Sequence, residues 1–119
     1  MAARKTSLKS RLARRREIEI TVTGRTSGRA ISIPVWFVLE DETLYLLPAY
    51  GSDTQWYQNL RKTPSLRIRA GNTTARCEAT RVTNAKQVSS VVERFRAKYG
   101  DSGVDLYTKP NVAVIAHLA

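Results

Sequence analysis

The sequence has only one cysteine, Cys77, and one histidine, His117. A single cysteine excludes an internal disulfide, and a single histidine leaves no imidazole cluster for a metal. Each lies in a stretch that alternates apolar and polar residues, so we expect a buried inert thiol and a structural imidazole. Walker loops, dinucleotide fingerprints, paired-carboxylate motifs and nucleophile elbows are also missing. If the protein is an enzyme, a bound cofactor should therefore supply the reactive group.

Long apolar runs are absent too. No stretch reaches the length needed to span a bilayer, and the basic N-terminus leads into Glu17 instead of the apolar core of a signal peptide. With 119 residues, 42% hydrophobic and 25% charged, the composition is that of one soluble globular domain. Together with the single cysteine, this predicts a cytoplasmic protein.

No acidic residue occurs before Glu17, although the net charge is +10. Seven of the 20 basic residues precede it: Arg4, Lys5, Lys9, Arg11, Arg14, Arg15 and Arg16. We therefore divide the chain into a basic N-terminal tail or helix, residues 1–16, and a single domain, residues 17–119. Residues 4–16 could form a solvated helix, bind nucleic acid, bind the anionic end of a cofactor, or hold the protein peripherally on an anionic membrane.

Alternating apolar and polar residues predict strands in the body of the chain. The predicted strands are residues 17–23, 30–39, 43–47, 66–70, 73–82 and 112–118. The second of them is apolar on both faces in its later half, which is expected where a sheet curls into a barrel and is covered outside. Short turns between the strands favour an antiparallel Greek-key arrangement over a βαβ layout.

Two helices interrupt the strands. Ser52 with Gln55 three residues later is typical of a capping box, and the helix should end before Pro64. Asn84 with Gln87 begins the second helix, which should end near Gly100. The second helix carries an apolar stripe that indicates core packing, formed by Val88, Val91, Val92, Phe95 and Tyr99.

Two segments have the composition of a ligand site. The turn Gly24-Arg25-Thr26-Ser27-Gly28-Arg29 combines two glycines, two hydroxyls and two guanidinium groups, and such a turn can hold a phosphate. Backbone N–H groups at the start of the Ser52 helix could receive an anionic or carbonyl-rich ligand, or the segment could be only a well-capped helix. Pro34 within a strand pattern indicates an edge strand or a bulge.

These segments resemble the deazaflavin-dependent nitroreductases, which use coenzyme F-420. The resemblance rests on the Gly24–Arg29 turn, on Ile33-Pro34-Val35-Trp36-Phe37, on Leu44-Tyr45-Leu46-Leu47-Pro48 and above all on Gly51-Ser52-Asp53-Thr54-Gln55-Trp56-Tyr57-Gln58-Asn59-Leu60. It covers residues 21–71 closely. It implies a mainly β, α+β fold: a six-stranded antiparallel Greek-key split β-barrel with two or three helices, of the FMN-binding type related to pyridoxamine phosphate oxidase.

The resemblance also implies a function and a site. The protein would bind a deazaflavin and transfer hydride to a nitroaromatic, a quinone or a similar conjugated acceptor. At the phosphate, the cofactor-binding residues would be Arg25, Ser27 and Arg29. Pro34 and Trp36 would line the ring pocket, and Trp56 and Tyr57 would form its walls. Backbone groups at the ring edge would come from Ala49, Tyr50, Gly51 and Ser52. No side chain is implied as catalytic.

Alternatives stay open. The family commonly has a lysine at the position of Thr26 and an arginine at that of Ile31, both for the anionic end of the coenzyme, so FMN is the rival cofactor. A nonenzymatic split-barrel module that uses its basic tail on nucleic acid or anionic membrane is the rival function. As in many split barrels, the protein could form a homodimer.

Overall fold

The computed structural model describes residues 12, 15–108 and 110–118. The elements follow in the order β1 (Glu17–Thr23), β2 (Ala30–Trp36), β3 (Val38–Glu40), β4 (Thr43–Leu46), a 3-10 helix (Gly51–Asp53), α1 (Gln55–Lys62), β5 (Ser65–Ala70), β6 (Thr73–Val82), α2 (Ala85–Val104) and β7 (Ala113–His117). Most of the predicted strands therefore form within one or two residues of their predicted bounds.

One bent strand closes the sheet into a barrel. The strand order is β2-β1-β5-β6-β7-β4-β3, and all of these neighbours are antiparallel. The two end strands, β2 and β3, are consecutive in the chain and are separated only by Phe37. Counted as one strand bent at Phe37, they complete the predicted six-stranded antiparallel split barrel, which is confirmed.

The bend at Phe37 leaves backbone groups that a buried chain must satisfy. The Phe37 N–H donates to the Tyr99 hydroxyl at 3.0 Å, and the Phe37 carbonyl accepts from Lys98 Nζ at 2.8 Å. Tyr99 Oη also lies 2.8 Å from that carbonyl. Pro34 lies on an edge strand, since β2 pairs only with β1 in the described sheet, and edge strands are where proline is tolerated. The predicted edge position is thus confirmed.

Two apolar clusters lie on opposite faces of the same strands. Inside the barrel, alternate residues of β1 and β5 pack against α1; the members of this cluster that are least exposed are Leu12, Ile20, Phe37, Leu44, Leu46, Leu60, Ile68, Ala70, Val114 and Ala116. The second cluster joins the outer faces of β3 and β7 to α2 and includes Val38, Ala113 and Phe95. A helix therefore covers the strand region that was expected to be apolar on both faces.

The second helix begins as the sequence predicts. The Asn84 side chain accepts hydrogen bonds from the N–H groups of Lys86 and Gln87. The predicted stripe faces the barrel, with four of its residues buried and Val92 partly buried. A kink at Gly100, where φ is 82°, divides α2, and Gly103 in the part after the kink lies close to Trp36 of β2.

The predicted N-terminal tail, residues 1–16, lies mostly outside the described residues. Leu12 is fully buried in the interior cluster, so this residue packs as part of the domain. The Arg16 guanidinium lies 5.0 Å from the centre of the Tyr99 ring. Among the described helices, none combines the length and the hydropathy that crossing a membrane requires.

Candidate functional site

The Gly24–Arg29 segment forms the turn between β1 and β2. The Gly24 N–H donates to the Arg29 carbonyl at 2.8 Å, and the Gly28 N–H donates to the Gly24 carbonyl at 2.9 Å. Gly28 has φ of 70°, a conformation that favours glycine. The Ser27 hydroxyl accepts from the Arg29 N–H at 3.1 Å and braces the turn. The Arg29 guanidinium bonds to no other described residue, so its donors remain available to a ligand.

Arg25, which was predicted to lie at the phosphate, bonds to α1. Its Nη1 donates to Asn59 Oδ1 at 2.7 Å, and its Nη2 donates to Gln55 Oε1 at 2.7 Å. The Arg25 backbone bonds to the same helix, because its N–H donates to Asn59 Oδ1 and its carbonyl accepts from Lys62 Nζ. Arg25 therefore fastens the turn to α1, and two of the five N–H donors of its guanidinium are used for this.

The loop before α1 is held by internal hydrogen bonds. The Tyr50 N–H donates to Thr54 Oγ1 at 2.8 Å, the Gly51 N–H donates to the Pro48 carbonyl at 3.1 Å, and the Ser52 N–H donates to Asn111 Oδ1 at 3.1 Å. These three backbone donors were expected to face the ring edge of a cofactor. All three are used within the chain, so the loop provides a fixed surface and not a row of open donors.

The predicted capping box at Ser52 is wrong. A 3-10 helix takes up Gly51–Asp53, and α1 begins only at Gln55, with Thr54 in the N-cap position. The Thr54 side chain does not cap the helix, because its hydroxyl instead accepts from Tyr50 four residues earlier. The Ser52 hydroxyl lies 3.3 Å from Asn111 Nδ2, so it also bonds outside the helix.

A surface cavity of about 220 Å³ lies between the end of β2, the loop after β4, α1 and the segment after α2. Four of the predicted cofactor-binding residues line it: Pro34, Trp36, Ala49 and Trp56. The other lining residues are Glu17, Val35, Leu47, Leu106 and Tyr107. The structure therefore brings together the predicted ring-lining residues of β2, the loop and α1. We call this space the aromatic cavity.

The Trp36 side chain is a fixed wall of the aromatic cavity. It stacks on Tyr99 with ring centres 4.3 Å apart and an interplanar angle of 11°, and it meets Tyr107 edge-on at 6.3 Å. A Cβ atom added at Gly103 would lie 3.1 Å from the Trp36 ring and 2.8 Å from Tyr99 Cβ. Glycine at 103 thus permits the close approach of α2 that positions the indole.

Tyr57 lies elsewhere. It is buried within the barrel interior and is absent from the cavity lining, although it follows Trp56 directly in α1. Successive residues of a helix point about 100° apart, so both side chains can line one site only if it wraps around the helix. Its predicted role as a wall of the ring pocket does not agree with this placement.

Few charged groups reach the aromatic cavity. Among the described residues that line it, Glu17 alone is charged. Burial, and secondarily Tyr99, raises the pKa of Tyr107 far above its usual range, so its phenol stays protonated at neutral pH. Tyr50, next to Ala49, is 64% exposed, and Leu106 is 69% exposed. A mostly apolar and aromatic lining that includes the exposed Leu106 suits a flat conjugated ligand.

The turn and the aromatic cavity occupy opposite ends of the β1–β2 hairpin. In its register Trp36 is paired with Glu17, whereas Ala30, beside the turn, is paired with Thr23. Along β2, Ala30 is four residues from Pro34 and six from Trp36, both of which line the cavity, so the separation is about 13–20 Å. Helix α1 also connects the two regions, since Gln55 bonds to Arg25 and Trp56 lines the cavity. A single ligand that contacts both regions must be extended.

Several residues of the site were not predicted from the sequence. Leu106 and Tyr107 come after the Gly100 kink, and Asn111 reaches the loop from 59 residues away in the chain. An aromatic and a leucine directly after a helix break were the available signal for the first two. No local signal marks Asn111.

Cys77 and His117, which were expected to be structural, do not line the site. Burial raises the pKa of Cys77 to about 11, and His117 is exposed at the end of β7.

Comparison with known proteins gives a family and a fold. The model of a bacterial family, DUF2255, described as an uncharacterized protein conserved in bacteria, matches residues 9–115. No curated protein is significantly similar to the sequence.

Solved structures show the same fold at low sequence identity. An F420-H2 dependent reductase, FDR-A, is 17% identical with a TM-score of 0.68, covering 87% of this chain and 95% of its own. A protein of Listeria innocua described as a candidate pyridoxamine 5′-phosphate oxidase is 12% identical, with a TM-score of 0.69 and coverage of 95% and 90%. A candidate 5-nitroimidazole antibiotic resistance protein of Bacteroides thetaiotaomicron is 14% identical, with a TM-score of 0.72 and coverage of 96% and 79%. At these identities the likeness shows the split-barrel fold.

Proposed function

This chain belongs to the DUF2255 family, and we propose that it is an oxidoreductase that binds a flavin or deazaflavin coenzyme. One observation carries the proposal: Pro34, Trp36, Ala49 and Trp56, which come from three separate segments, line one aromatic cavity. The likeness of the fold to that of an F420-H2 dependent reductase supports it.

The cavity fits the ring of such a coenzyme better than it fits a whole coenzyme. At about 220 Å³ it is smaller than the cavities of about 300–1,000 Å³ that enclose ligands of drug size. The ring edge would therefore enter between Trp36 and Trp56, and the remainder would lie along the surface. Offset or edge contacts with two indoles favour a flat conjugated ring. The small side chain of Ala49 keeps the entrance open.

The chain's own contribution to the reaction is positioning. When bound, the coenzyme supplies or accepts hydride, chemistry that no side chain of this site provides. Trp36 is held by Tyr99, and the loop is held by Thr54 and Asn111, so the walls are rigid before a ligand arrives. A rigid apolar site excludes water and aligns donor and acceptor. The exposed Tyr50 and Leu106 would contact the acceptor, a nitroaromatic, a quinone or a similar conjugated molecule.

The distance of about 13–20 Å along the β1–β2 hairpin favours the deazaflavin over FMN. The Arg29 guanidinium is free of other described partners, so it would bind the anionic end, while the ring occupies the aromatic cavity. FMN has the shorter anionic end and would reach from the cavity toward Arg29 less readily. It remains the alternative cofactor.

Intrinsic fluorescence offers a direct test, because the protein's two tryptophans, Trp36 and Trp56, both line the cavity. Titration with coenzyme F-420 or with FMN should quench them saturably. The variant Ala49→Leu should weaken this binding by about tenfold or more, since added methylenes must displace the ring or the wall. The same change at exposed Ala85, on α2, should leave it unaltered.

A second comparison separates the two arginines of the turn. Arg29→Ala should weaken coenzyme binding by about tenfold to a hundredfold with little effect on unfolding, because its guanidinium bonds to no described residue. Arg25→Ala should lower stability measurably, because it removes the hydrogen bonds to Gln55 and Asn59. Equal effects of both changes on binding, with equal stability, would contradict this division of roles.

The two basic residues that are common in the deazaflavin-dependent nitroreductases, at positions 26 and 31, can also be introduced into this chain. Ile31 is 40% exposed, so an arginine there need not enter the core. Thr26→Lys together with Ile31→Arg should strengthen binding of the deazaflavin if it lies along the turn. Unchanged affinity would place its anionic end elsewhere.

If neither coenzyme F-420 nor FMN binds, the proposed function is refuted, and the alternative of a nonenzymatic split-barrel module that binds nucleic acid or anionic membrane is favoured. That alternative depends on residues 4–16, most of which lie outside the described residues. A homodimer remains a prediction, which light scattering at several protein concentrations would check.

A further inference from the structure

Two arginines face each other on the outer surface of the barrel without acidic partners. In the β5–β6 register Arg67 is opposite Arg76, and both are exposed. Neither guanidinium bonds to a described residue. The neighbouring Arg69 differs, because its Nε and Nη2 both bond to the Glu19 carboxylate at 3.1 Å. An unpartnered pair therefore lies beside a partnered arginine on the same strand.

Like charges placed directly opposite on a sheet repel each other. Side chains of such a pair have Cβ atoms only about 4.5–5.5 Å apart, so their guanidinium groups share the same region of solvent. A ligand carrying negative charge would relieve this repulsion. The pair is thus suited to an anion, whereas without one it costs the fold some stability.

A concavity of about 180 Å³ adjoins the two arginines. Besides Arg67 and Arg76, three hydroxyl side chains line it: Thr21, Thr23 and Ser65. Hydroxyls can donate to phosphate or carboxylate oxygens, and two guanidinium groups supply forked donors that match the same oxygens. We propose that this concavity is an anion-binding site that takes a phosphate or carboxylate group. We call it the paired-arginine site.

The site is separate from the aromatic cavity but adjoins the Gly24–Arg29 turn, since Thr23 and Ala30 belong to its lining. The anion could be a small molecule of its own, or it could be a further anionic group of a coenzyme that extends past the turn. In both cases the group that binds is a phosphate or carboxylate. Only the assignment of that group to a coenzyme rests on the proposed function.

Glu78 sets a limit on the affinity. It is opposite Ser65 in the register, two residues from Arg76 on the same face of β6, yet it forms no ion pair with either arginine. Its carboxylate should repel a bound anion. A change that removes this charge should therefore act in the opposite direction from changes that remove the arginines.

Inorganic phosphate serves as the probe, with binding measured by calorimetry and by backbone amide shifts of β5 and β6 at low ionic strength. Arg67→Gln and Arg76→Gln should each weaken phosphate binding by about tenfold or more. Arg69→Gln is the matched control, with the same loss of charge on the same strand, and should weaken phosphate binding clearly less than either change, because the Arg69 guanidinium already bonds to Glu19. Glu78→Gln should strengthen it severalfold.

Stability gives an independent measurement. Without phosphate, Arg76→Gln should raise the unfolding temperature slightly, because it removes the repulsion with Arg67. With saturating phosphate, the unaltered protein should instead have the higher unfolding temperature, because it binds the anion more tightly than Arg76→Gln. A variant that lowers stability under both conditions would contradict the proposed repulsion.

The source of the anion is resolved with the two-arginine variant, Arg67→Gln with Arg76→Gln. If it weakens phosphate binding but leaves quenching by the coenzymes unchanged, the anion is a separate molecule. If it weakens both, the anion is part of the coenzyme. Absence of phosphate binding to the unaltered protein, or equal weakening by Arg69→Gln, overturns the paired-arginine site whether or not a coenzyme binds in the aromatic cavity.

Discussion

Replacing Tyr99 by Phe tests how the barrel corner and the cavity wall depend on one hydroxyl group. Tyr99 Oη accepts from the Phe37 N–H at 3.0 Å and lies 2.8 Å from the Phe37 carbonyl and 2.6 Å from the Arg16 carbonyl. The ring itself stacks on Trp36. Tyr99→Phe removes the hydroxyl and keeps the ring, so it separates hydrogen bonding from aromatic packing.

The expected cost follows from which groups are left without partners. The Phe37 carbonyl keeps its hydrogen bond from Lys98 Nζ, and the Arg16 carbonyl belongs to an exposed residue that water can reach. The Phe37 N–H has no such substitute, because Phe37 is fully buried. A buried donor left unsatisfied costs about 1–3 kcal/mol. For a domain of this size that corresponds to a fall of about 4–12 °C in the unfolding temperature.

The matched control is Tyr107→Phe. Tyr107 belongs to the same aromatic cluster, but its hydroxyl bonds to no described residue, so its loss should change stability by less than about 0.5 kcal/mol. Urea unfolding followed by near-ultraviolet circular dichroism would measure both variants and report on Trp36. If Tyr99→Phe is as stable as the unaltered protein, or if both variants lose the same stability, the hydroxyl does not hold the corner.

Three further predictions concern pH, packing and the N-terminus. Burial, and secondarily Arg16, lowers the pKa of Lys98 to about 8, so between about pH 8 and 10.5 the unfolded chain binds more protons at this residue. The free energy by which a charged, buried Lys98 destabilises the fold should therefore decrease as the pH rises through that window. Between pH 7 and 10, the free energy of unfolding of the unaltered protein, measured in urea, should increase relative to that of Lys98→Met. Gly103→Ala should lower stability by about 1–3 kcal/mol and alter tryptophan fluorescence, because its Cβ would lie 2.8 Å from Tyr99 Cβ; normal stability would show that α2 shifts freely. Residues 1–16 were predicted to be a tail or helix separate from the domain, but Leu12 is fully buried. Deleting residues 2–16 should therefore destabilise the barrel, and Leu12→Ala alone should cost about 2–5 kcal/mol in thermal or urea unfolding.

The parts of the fold that the sequence predicted well are those fixed by local patterns. In β1 every second residue is apolar and buried, and β6 spans the predicted residues 73–82. Asn84 caps α2 because its side chain needs only the N–H groups two and three residues ahead. Such features depend on neighbours in the chain, so a single sequence contains the information.

The errors arise where a local preference competes with a distant partner. Ser52 and Gln55 have the spacing of a capping box, but Asn111 takes both the N–H and the hydroxyl of Ser52. The resemblance implied that Arg25 lies at a phosphate, and it gave no sign that Asn59 and Gln55 accept hydrogen bonds from its guanidinium. In each case an amide side chain from another element forms hydrogen bonds that the local pattern does not predict.

The aromatic cavity illustrates how far the prediction of a site can extend. The resemblance identified the walls contributed by β2, the loop and α1, because those residues lie in one recognisable stretch of the chain. The opposite wall comes from Leu106 and Tyr107, and their position depends on the kink at Gly100 and on the close packing that Gly103 allows. Both glycines act through the backbone geometry of α2, which the spacing of apolar residues does not reveal.

The acceptor should contact the wall formed by Leu106 and Tyr107, since Leu106 is exposed at its edge. Differences in acceptor preference between members of the family should therefore follow residues 100–107 more closely than the Trp36–Trp56 stretch, and exchanging that segment between two members should transfer the preference without changing coenzyme affinity.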